Sequence, residues 1–300
     1  MRYKKFLISI IIISFFILTV ITTHALIKKE TKKSYQPDKQ SQKYAFLIDK
    51  LSSDGFERTQ LQKIFNDSRI KFLEKVLVIN LINNHIKEDY SRFLNNQSIN
   101  HAKSFLDKEL PFLNKVEKRF KVEKEIVVSI LLIESSLGKR TGENIVFNVF
   151  STLSLATKKE ILKDTYHSLK EHYPNLSFEE MRKRAHKKSK WAYQELKHLL
   201  TIAEREKLDV LQIKGSWAGA FGIAQFLPSS YLRYGLDGNN DLKVRLFNRY
   251  DSMVSVANYL KENGWKKNLS DKKKRVIIQR YNNSIPYVDA VLKLSKKLSS

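Results

Sequence analysis

The chain has 300 residues and contains no cysteine. This absence excludes disulfide bonds, thiol catalysis, zinc–thiolate sites and lipid attachment at an N-terminal cysteine. It does not decide the compartment, because an exported protein can fold without disulfides.

Acidic residues are also few, with 31 Asp and Glu against 55 Lys and Arg, so the formal net charge is +24. Such a charge favours anionic partners. Nucleic acid would come first for a cytoplasmic protein, whereas an exported protein meets anionic lipid or cell-wall polymer. The lysines are spread widely, so an ordinary solvated surface remains an alternative reading.

The N-terminus has the pattern of an export signal. Arg2, Lys4 and Lys5 precede a run of 15 apolar or small residues at 6–20, and the small-x-small sequence THA occupies 23–25. We predict a signal peptide, residues 1–25, cut after Ala25. The alternative is an uncleaved anchor, because ITTHAL extends the apolar span towards the ~20 residues that a bilayer requires.

In either case we expect an exported protein, periplasmic or membrane-associated and facing the cell wall. Residues 1–25 hold three positive charges and no acid, so a chain beginning at Leu26 keeps +21. For such a chain we expect no nucleic-acid partner and a monomer. The polar segment 26–43 carries Pro37 and predicts a tether between the export signal and the folded body.

From Tyr44 onward the apolar residues recur mostly at helical spacing, and no repeat of fixed period is present. The apolar fraction of 42% is ample for a sizeable core. We predict a mainly α catalytic domain over residues 44–300. Local signals place helix N-caps at Asn175–Ser177 and at Asp251, a stop at Gly264, and Pro286 in the first turn of a last helix.

The stretch IVVSILLIESSLG, residues 126–138, places a carboxylate at the end of an apolar helix. Every residue from 126 to 133 except Ser129 is apolar, and Gly138 is predicted as the stop. Glu134 then lies in the last turn, at the negative end of the helix dipole. Apolar surroundings and this position both favour the protonated carboxyl, which suits a proton donor.

A second stretch, KGSWAGAFGIAQFLPSSY at 214–231, combines small and polar residues. Its three glycines let backbones approach each other or a ligand closely. Between the glycines lie a hydroxyl, rings and an amide, a mixture that suits the hydroxyls and flat faces of a sugar: Ser216, Trp217, Gln225 and Phe226. Tight packing around small residues is the structural alternative. A third piece, RYNNSIPY at 280–287, is weak by itself, because such a segment is often only a turn.

Together these segments resemble the membrane-bound lytic transglycosylase B family of lysozyme-like peptidoglycan enzymes. The resemblance follows the order and spacing of ESSLG, NVFSTLSL, KGSWAGAFGIAQFLPSSY, DSMVSVANYLKENGW and RYNNSIPYVDAVLKL. AFLIDKLSSDGFERTQLQKIF is similar to the family's N-terminal helices, so the resemblance extends over roughly residues 44–298. It implies a lysozyme-like catalytic core with additional N-terminal helices.

The resemblance also implies a reaction and a site. The family cleaves the β-1,4 bond between N-acetylmuramic acid and N-acetylglucosamine and leaves a 1,6-anhydro end, without adding water or using a cofactor. Glu134 aligns with its single catalytic acid. The residues that align with the lining of the glycan groove are Ser216, Gln225, Tyr281, Asn282, Tyr287 and, on a looser local alignment, Tyr90.

The sequence departs from the family pattern in several places. Residues 158–190 are longer than in the best-known members, and the family's arginine pair near the glycan is not visible. Some members hold calcium in an EF-hand-like loop, to which DGNNDLKVRLFN at 237–248 corresponds. Its candidate ligands are Asp237, Asn239 and Asp241. Leu242 stands where the sharp turn favours glycine, and Asn248 where a carboxylate closes the site, so we predict no metal there.

No second acid accompanies the motifs, although most glycosidases need two carboxylates. In the lytic reaction the substrate supplies its own nucleophile, the muramic acid 6-hydroxyl, so a single acid suffices. Two alternatives remain open at this point. One is a hydrolysing muramidase of the same fold, and the other is an inactive cell-wall-binding protein.

Overall fold

The computed structural model describes residues 39–82 and 89–299. Thirteen α-helices and one short two-stranded ladder fall within these ranges, which confirms a mainly α chain. The first six helices are α1 (Lys39–Ser53), α2 (Arg58–Phe65), α3 (Glu74–Ile82), α4 (Asn96–Lys108), α5 (Leu110–Phe120) and α6 (Lys124–Ser135). The other seven are α7 (Val146–Ser154), α8 (Lys159–His172), α9 (Phe178–Glu206), α10 (Pro228–Tyr234), α11 (Arg249–Glu262), α12 (Asp271–Tyr281) and α13 (Ile285–Ser299).

The chain divides into two units after Phe46, and only the beginning of α1 is described in the first unit. Helix α1 starts at Lys39 and therefore includes the last residues of the tether predicted at 26–43. The predicted export signal, 1–25, lies outside the described residues. Among the residues that are described, no helix is both long enough and apolar enough to cross a bilayer.

Helix α6 is the centre of the second unit, because it is apolar on nearly every side and must be enclosed by other helices. Its residues from Ile126 to Ile133 are all buried. Helices α4, α5, α11 and α13 pack around it. Its first turn is held through Glu123, which accepts hydrogen bonds from Trp265 Nε1 at 2.7 Å and from Lys274 Nζ at 2.6 Å.

Helix α6 ends earlier than Gly138, the stop expected from the sequence. The last helical residue is Ser135, and three residues in a row then have positive φ: Ser136 at 53°, Leu137 at 57° and Gly138 at 94°. A left-handed backbone is costly for residues other than glycine. The Ser135 side chain supports it by accepting a hydrogen bond from the Gly138 N–H at 3.0 Å. Glu134 is in the last turn, as predicted.

Helix α9 carries the other half of the fold and packs against α3, α7, α8 and α10. It begins at the predicted cap, where Ser177 Oγ accepts a hydrogen bond from the Glu180 N–H at 3.4 Å. Further along, the buried Glu195 accepts hydrogen bonds from the N–H and Oγ of Ser229 at 2.9 and 2.7 Å. A carboxylate there suits the positive end of α10 and fixes this helix to α9.

Helix α11 is capped by Asn248, and the prediction of Asp251 as its N-cap was wrong. Asn248 Oδ1 accepts a hydrogen bond from the Tyr250 N–H at 2.8 Å. Asp251 lies inside the first turn, fully buried, and accepts from the N–H groups of Gly238 and Arg245 at 2.8 and 2.6 Å. Asn is as good a cap as Asp. Because Asn248 caps the helix, the Asp251 carboxylate can instead hold the loop 237–248 against it.

The only strands in the described ranges are β1 (Asn144–Ile145) and β2 (Lys214–Gly215). They pair antiparallel, with Asn144 opposite Gly215. This ladder joins the segment after α6 to the start of the glycine-rich loop 214–226. It therefore brings that loop towards the end of α6.

Candidate active site

Glu134 and Tyr287 form the centre of the site. Tyr287 OH donates a hydrogen bond to Glu134 Oε1 at 2.7 Å, across 153 positions of sequence. Glu134 is half-buried at the end of α6, and Tyr287 is 1% exposed in the first turn of α13. The packing of α13 on α6 therefore fixes the direction in which the carboxyl group points.

Two further tyrosines complete an aromatic wall around this pair. The Tyr281 ring stacks on Tyr287 with centroids 6.5 Å apart, and the Tyr90 ring meets Tyr287 edge-on at 5.6 Å. Burial, and then the nearby Glu134 carboxylate, raise the pKa of both Tyr281 and Tyr287 well above the ordinary value. Both phenols therefore keep their protons at neutral pH and act as donors beside the carboxyl.

The glycine-rich loop 214–226 is held against the site at two points. Ser135 Oγ donates a hydrogen bond to the Ile223 carbonyl at 2.7 Å, and Tyr281 OH donates to the Ala224 carbonyl at 2.6 Å. One clamp comes from the end of α6 and the other from the end of α12. The next residue, Gln225, is thereby held beside the turn that carries Glu134.

The glycines of this loop serve close packing, which was the structural alternative for them. Gly219 and Gly222 have φ of 82° and 76°, a region that side-chain-bearing residues rarely adopt. A Cβ on Gly219 would overlap the Phe150 ring, and one on Gly222 would overlap Leu246. The loop can lie flat on the protein only because these positions have no side chains.

Ser216 and Gln225, both predicted to line the groove, also shape the loop. Ser216 Oγ accepts hydrogen bonds from the N–H groups of Ala218 and Ala220, each at 3.2 Å. Gln225 has φ of 49°, and its Nε2 donates to the carbonyls of Thr141 and Gly222 at 3.0 and 2.8 Å. These hydrogen bonds hold both side chains in fixed positions before any ligand binds.

Asn282 and Trp217 present groups that the protein leaves accessible. Asn282 is half-buried at the end of α12, and its side chain makes no hydrogen bond within the part of the chain that the structure describes. The Trp217 side chain is 48% exposed beside Ser216. An amide and an indole ring in these positions are suited to the polar edge and the flat face of a sugar.

The structure adds residues to the site that the sequence reasoning missed. Ser135 clamps the loop, and its only signal was its place next to Glu134. Asn80 is buried and donates to the Trp217 carbonyl at 3.3 Å, while Lys188 Nζ donates to Asn80 Oδ1 at 3.2 Å. Burial lowers the pKa of Lys188. It lies in the segment 158–190, which is longer than in the best-known members of the family.

In the loop 237–248, which corresponds to the family's calcium loop, the carboxylate oxygens are occupied by hydrogen bonds. Asp237 accepts three backbone N–H groups, and Asp241 accepts one backbone N–H and the Asn239 amide. Leu242 has φ of 64°, so the position does require the geometry that glycine provides. Within residues 39–82 and 89–299, no cluster of three or more acidic or histidine side chains is arranged to hold a metal. The residues do not fit a calcium site in this arrangement.

We therefore expect calcium to bind no more tightly than roughly millimolar, the weak end of known sites. Binding would have to break several of the hydrogen bonds above, and Asn248 is engaged as the cap of α11. The melting temperature, measured with micromolar calcium and with a chelator, should not differ. A calcium-dependent rise of several degrees would contradict this prediction.

A mainly α domain whose buried central helix ends in an acid, with a glycine-rich loop clamped beside that end, is the arrangement of lysozyme-like enzymes. Residues 38–276 match the family described as the Transglycosylase SLT domain. This match includes well over half of the chain, and the chain belongs to that family.

Individual relatives agree with the assignment. The chain is 29% identical over 237 residues to membrane-bound lytic murein transglycosylase B of Escherichia coli K12. Soluble lytic transglycosylase SltB1 from Pseudomonas aeruginosa has the same fold, with a TM-score of 0.69 at 21% identity over 86% of this chain and 98% of that one. SltB3 from the same organism, whose structure was solved in complex with NAG-NAM-pentapeptide, has a TM-score of 0.69 and 17% sequence identity. The match includes 87% of this chain and 80% of that one.

The alignment with the Escherichia coli relative includes 74% of this chain but only 57% of that protein. The two structures are less than 25% identical to this chain and establish its fold. The activity must therefore be argued from the residues of this chain.

Proposed function

We propose that this protein is a peptidoglycan lytic transglycosylase, which cleaves the β-1,4 bond between N-acetylmuramic acid and N-acetylglucosamine and forms 1,6-anhydro-N-acetylmuramic acid. The observation that carries the proposal is the hydrogen bond from the buried Tyr287 hydroxyl to Glu134 Oε1 at 2.7 Å. It fixes the direction of one carboxyl oxygen of Glu134, next to the clamped loop 214–226. Membership of the transglycosylase family supports the reaction type.

In the first step the protonated Glu134 donates its proton to the bridging oxygen, and the bond from that oxygen to the muramic acid anomeric carbon breaks. The departing N-acetylglucosamine keeps the bonding electron pair and gains the proton. The positive charge left on the muramic acid is stabilised by its own 2-acetamido group and by the Glu134 carboxylate. Because Oε1 accepts from Tyr287, Oε2 is the oxygen that carries the transferred proton.

In the second step the Glu134 carboxylate takes the proton of the muramic acid 6-hydroxyl, and that oxygen attacks the anomeric carbon of the same sugar. The product is a 1,6-anhydro ring, and Glu134 regains the proton it gave away. The nucleophile is already attached to the substrate, so much of its entropic cost is met in advance. Tyr281 and Tyr287, two phenols that lie beside Glu134, have raised pKa values and cannot serve as a second base.

The rest of the groove would hold the glycan on either side of this bond. Trp217 offers a face for a sugar ring, and Asn282 offers an amide that has no hydrogen-bond partner among the described residues. Ser216, Gln225 and Tyr90 would line the path of the glycan between them. Lys188, held next to the Trp217 backbone through Asn80, places a positive charge where the carboxylates of a murein strand would pass.

The protein is proposed to work outside the cytoplasm, with the catalytic domain at 44–300 and no nucleic-acid partner. We predict that the mature chain begins at Leu26, because the basic start, the apolar run and THA together form a secretory signal. N-terminal sequencing of protein purified from its native host tests this. Recovery of an intact Met1 from the membrane fraction would favour the anchor instead.

The experiment that separates an enzyme from an inactive cell-wall-binding protein is the digestion of purified sacculi. The enzyme should release soluble glycan fragments and clear the suspension at a rate proportional to its concentration. Binding to sacculi without any release would refute the activity and leave the binding protein as the function. A matched sample of the Glu134→Gln protein serves as the blank.

Tyr287→Phe should lower kcat roughly 10- to 100-fold with little change in KM, because the carboxyl loses the donor that orients it. Phenylalanine fills the same buried space, so the fold should persist. Tyr231→Phe is the control: its hydroxyl donates to the Val244 carbonyl at 2.6 Å, away from Glu134. The control should lose about 1 kcal/mol of stability and keep its kcat. A normal kcat for Tyr287→Phe would exclude the orienting role.

A further inference from the structure

Four exposed lysines lie close together in the chain: Lys266 and Lys267 in the connection from α11 to α12, and Lys272 and Lys273 in the first turn of α12. Within the part of the chain that the structure describes, none of these ammonium groups is paired with a carboxylate, unlike the neighbouring Lys274. These four residues are called the α12 basic patch below. It belongs neither to the glycan groove nor to the loop 237–248.

The α12 basic patch borders two grooves. Lys266, Lys272 and Lys273 line a groove of about 560 Å³, and Leu269, Val276 and Ile277 supply its apolar part. On the other side, Lys267 lines a second groove together with Lys118 and Lys121. The acids in that second groove, Glu117 and Glu123, are already paired with Lys124 and Lys274. The positive charge around both grooves is therefore largely uncompensated.

The placement of these charges works against folding stability. Lys272, Lys273 and Lys274 occupy the first turn of α12, at the positive end of its dipole, where acids are favoured. The only acid there, Asp271, is paired with Lys296 at 3.2 Å. Lysines in such a turn repel the helix end and each other. Departures from such local rules are expected at functional sites. A bound anion would offset the repulsion among these lysines and between them and the helix end.

The apolar residues among the lysines decide which anion fits. Val276 is 48% exposed and lies four residues after Lys272 and three after Lys273, on the same face of α12. A soluble polyanion needs only the charges. A face that combines ammonium groups with an exposed aliphatic side chain suits the boundary between lipid phosphates and acyl chains. We propose that the α12 basic patch docks this protein on the surface of an anionic phospholipid bilayer.

Docking there would leave the glycan groove open. Helix α12 is 11 residues long, so its two ends are about 15 Å apart. The lipid would contact its first turn, whereas Tyr281 in its last turn contacts the loop 214–226. Lipid binding is thus independent of the proposed activity and can be measured without it.

The absence of cysteine allows a direct test on the intact chain. A spin label is attached to Val276→Cys, and its exposure to water-soluble and lipid-soluble relaxants is measured on vesicles. With vesicles that contain phosphatidylglycerol, the label should become shielded from water and accessible from the lipid. With phosphatidylcholine alone it should stay in water. A label at Leu242→Cys, where Leu242 is 93% exposed, should stay in water on both.

Two matched variants assign the effect to the patch. The first removes its four charges, Lys266→Gln, Lys267→Gln, Lys272→Gln and Lys273→Gln. The second removes four charges elsewhere, Lys63→Gln, Lys71→Gln, Lys163→Gln and Lys183→Gln. Each lysine near an anionic surface contributes about 1 kcal/mol of binding energy. The first variant should therefore bind the anionic vesicles with an apparent affinity lower by roughly 100-fold or more, and the second should bind them as the unmodified protein does.

Several results would overturn the proposal. Equal shielding of Val276→Cys on neutral and anionic vesicles would mean that the N-terminal apolar run or a nonspecific contact dominates. Equal losses from both quadruple variants would show a general charge effect. Shielding by purified sacculi but not by anionic vesicles would assign the patch to cell-wall polymer. Sacculus digestion by the patch variant should remain unchanged, so failure of the docking does not depend on the proposed function.

Discussion

Replacing Glu134 with glutamine is expected to reduce the rate of sacculus digestion by roughly 10³-fold or more. Glutamine has nearly the same shape, and its amide can still accept the Tyr287 hydrogen bond at the Oε1 position, so α6 and α13 should pack as before. The amide can neither donate a proton to the bridging oxygen nor take one from the 6-hydroxyl. The replacement of one carboxyl oxygen by an amide nitrogen therefore abolishes both steps of the proposed reaction.

The matched control is Glu125→Gln, which removes a carboxylate from the first turn of the same helix. Glu125 is paired with Lys124 at 3.4 Å, and Lys124 has a second partner in Glu117 at 3.0 Å, so the ammonium group stays paired in this variant. This variant should digest sacculi normally. Melting curves for both variants show whether either one is misfolded. If a folded Glu134→Gln protein kept more than about a tenth of the rate, Glu134 would not be the acid that general acid catalysis requires.

Helix α6 could be predicted from the sequence because its signal is strong at every level. A run of apolar residues is followed by ESSLG, and the structure has a helix that is buried from Ile126 to Ile133 and ends next to Glu134. The exact stop could not be predicted. It depends on Ser135 Oγ, which bonds both the Gly138 N–H and the Ile223 carbonyl, and the second partner lies 88 positions away.

The cap of α11 shows a different limit. Asn248 and Asp251 are both good candidates for an N-cap, and they stand three residues apart. The choice between them depends on the loop 237–248, which offers the Gly238 and Arg245 N–H groups to Asp251. Local sequence preference does not predict the position of that loop, because the position follows from the packing of α10 and α11.

The sequence predicted the segments of the candidate site separately but not the contacts between them. RYNNSIPY alone reads as a turn, and nothing in it indicates that Tyr287 meets Glu134 or that Tyr281 bonds the Ala224 carbonyl. The resemblance to a family supplied those positions, and the structure gives their contacts. Asn80 and Lys188 carry no sequence signal, because their relation to Trp217 arises from α3 and α9 packing side by side.

The reaction product is the sharpest test of a mechanism that uses one acid. Hydrolysing glycosidases generally need a second carboxylate that directs water or forms a covalent intermediate. Tyr281 and Tyr287, which lie beside Glu134, are instead phenols with raised pKa values, and they do not accept protons near neutral pH. Neither phenol can therefore act as a base that directs water to the intermediate.

We therefore expect every cleaved bond to yield a 1,6-anhydro-muramic acid end, lighter than a hydrolysed end by one water molecule. Sacculi are digested in heavy-oxygen water, and the unreduced fragments are analysed by mass spectrometry. Anhydro ends without label are the expected product, because the 6-hydroxyl oxygen comes from the substrate. A lysozyme that hydrolyses the same bond is the control and should give labelled reducing ends. A majority of labelled ends from this protein would mean that water outcompetes the 6-hydroxyl at the anomeric carbon. The fold would stand, and the protein would be a muramidase.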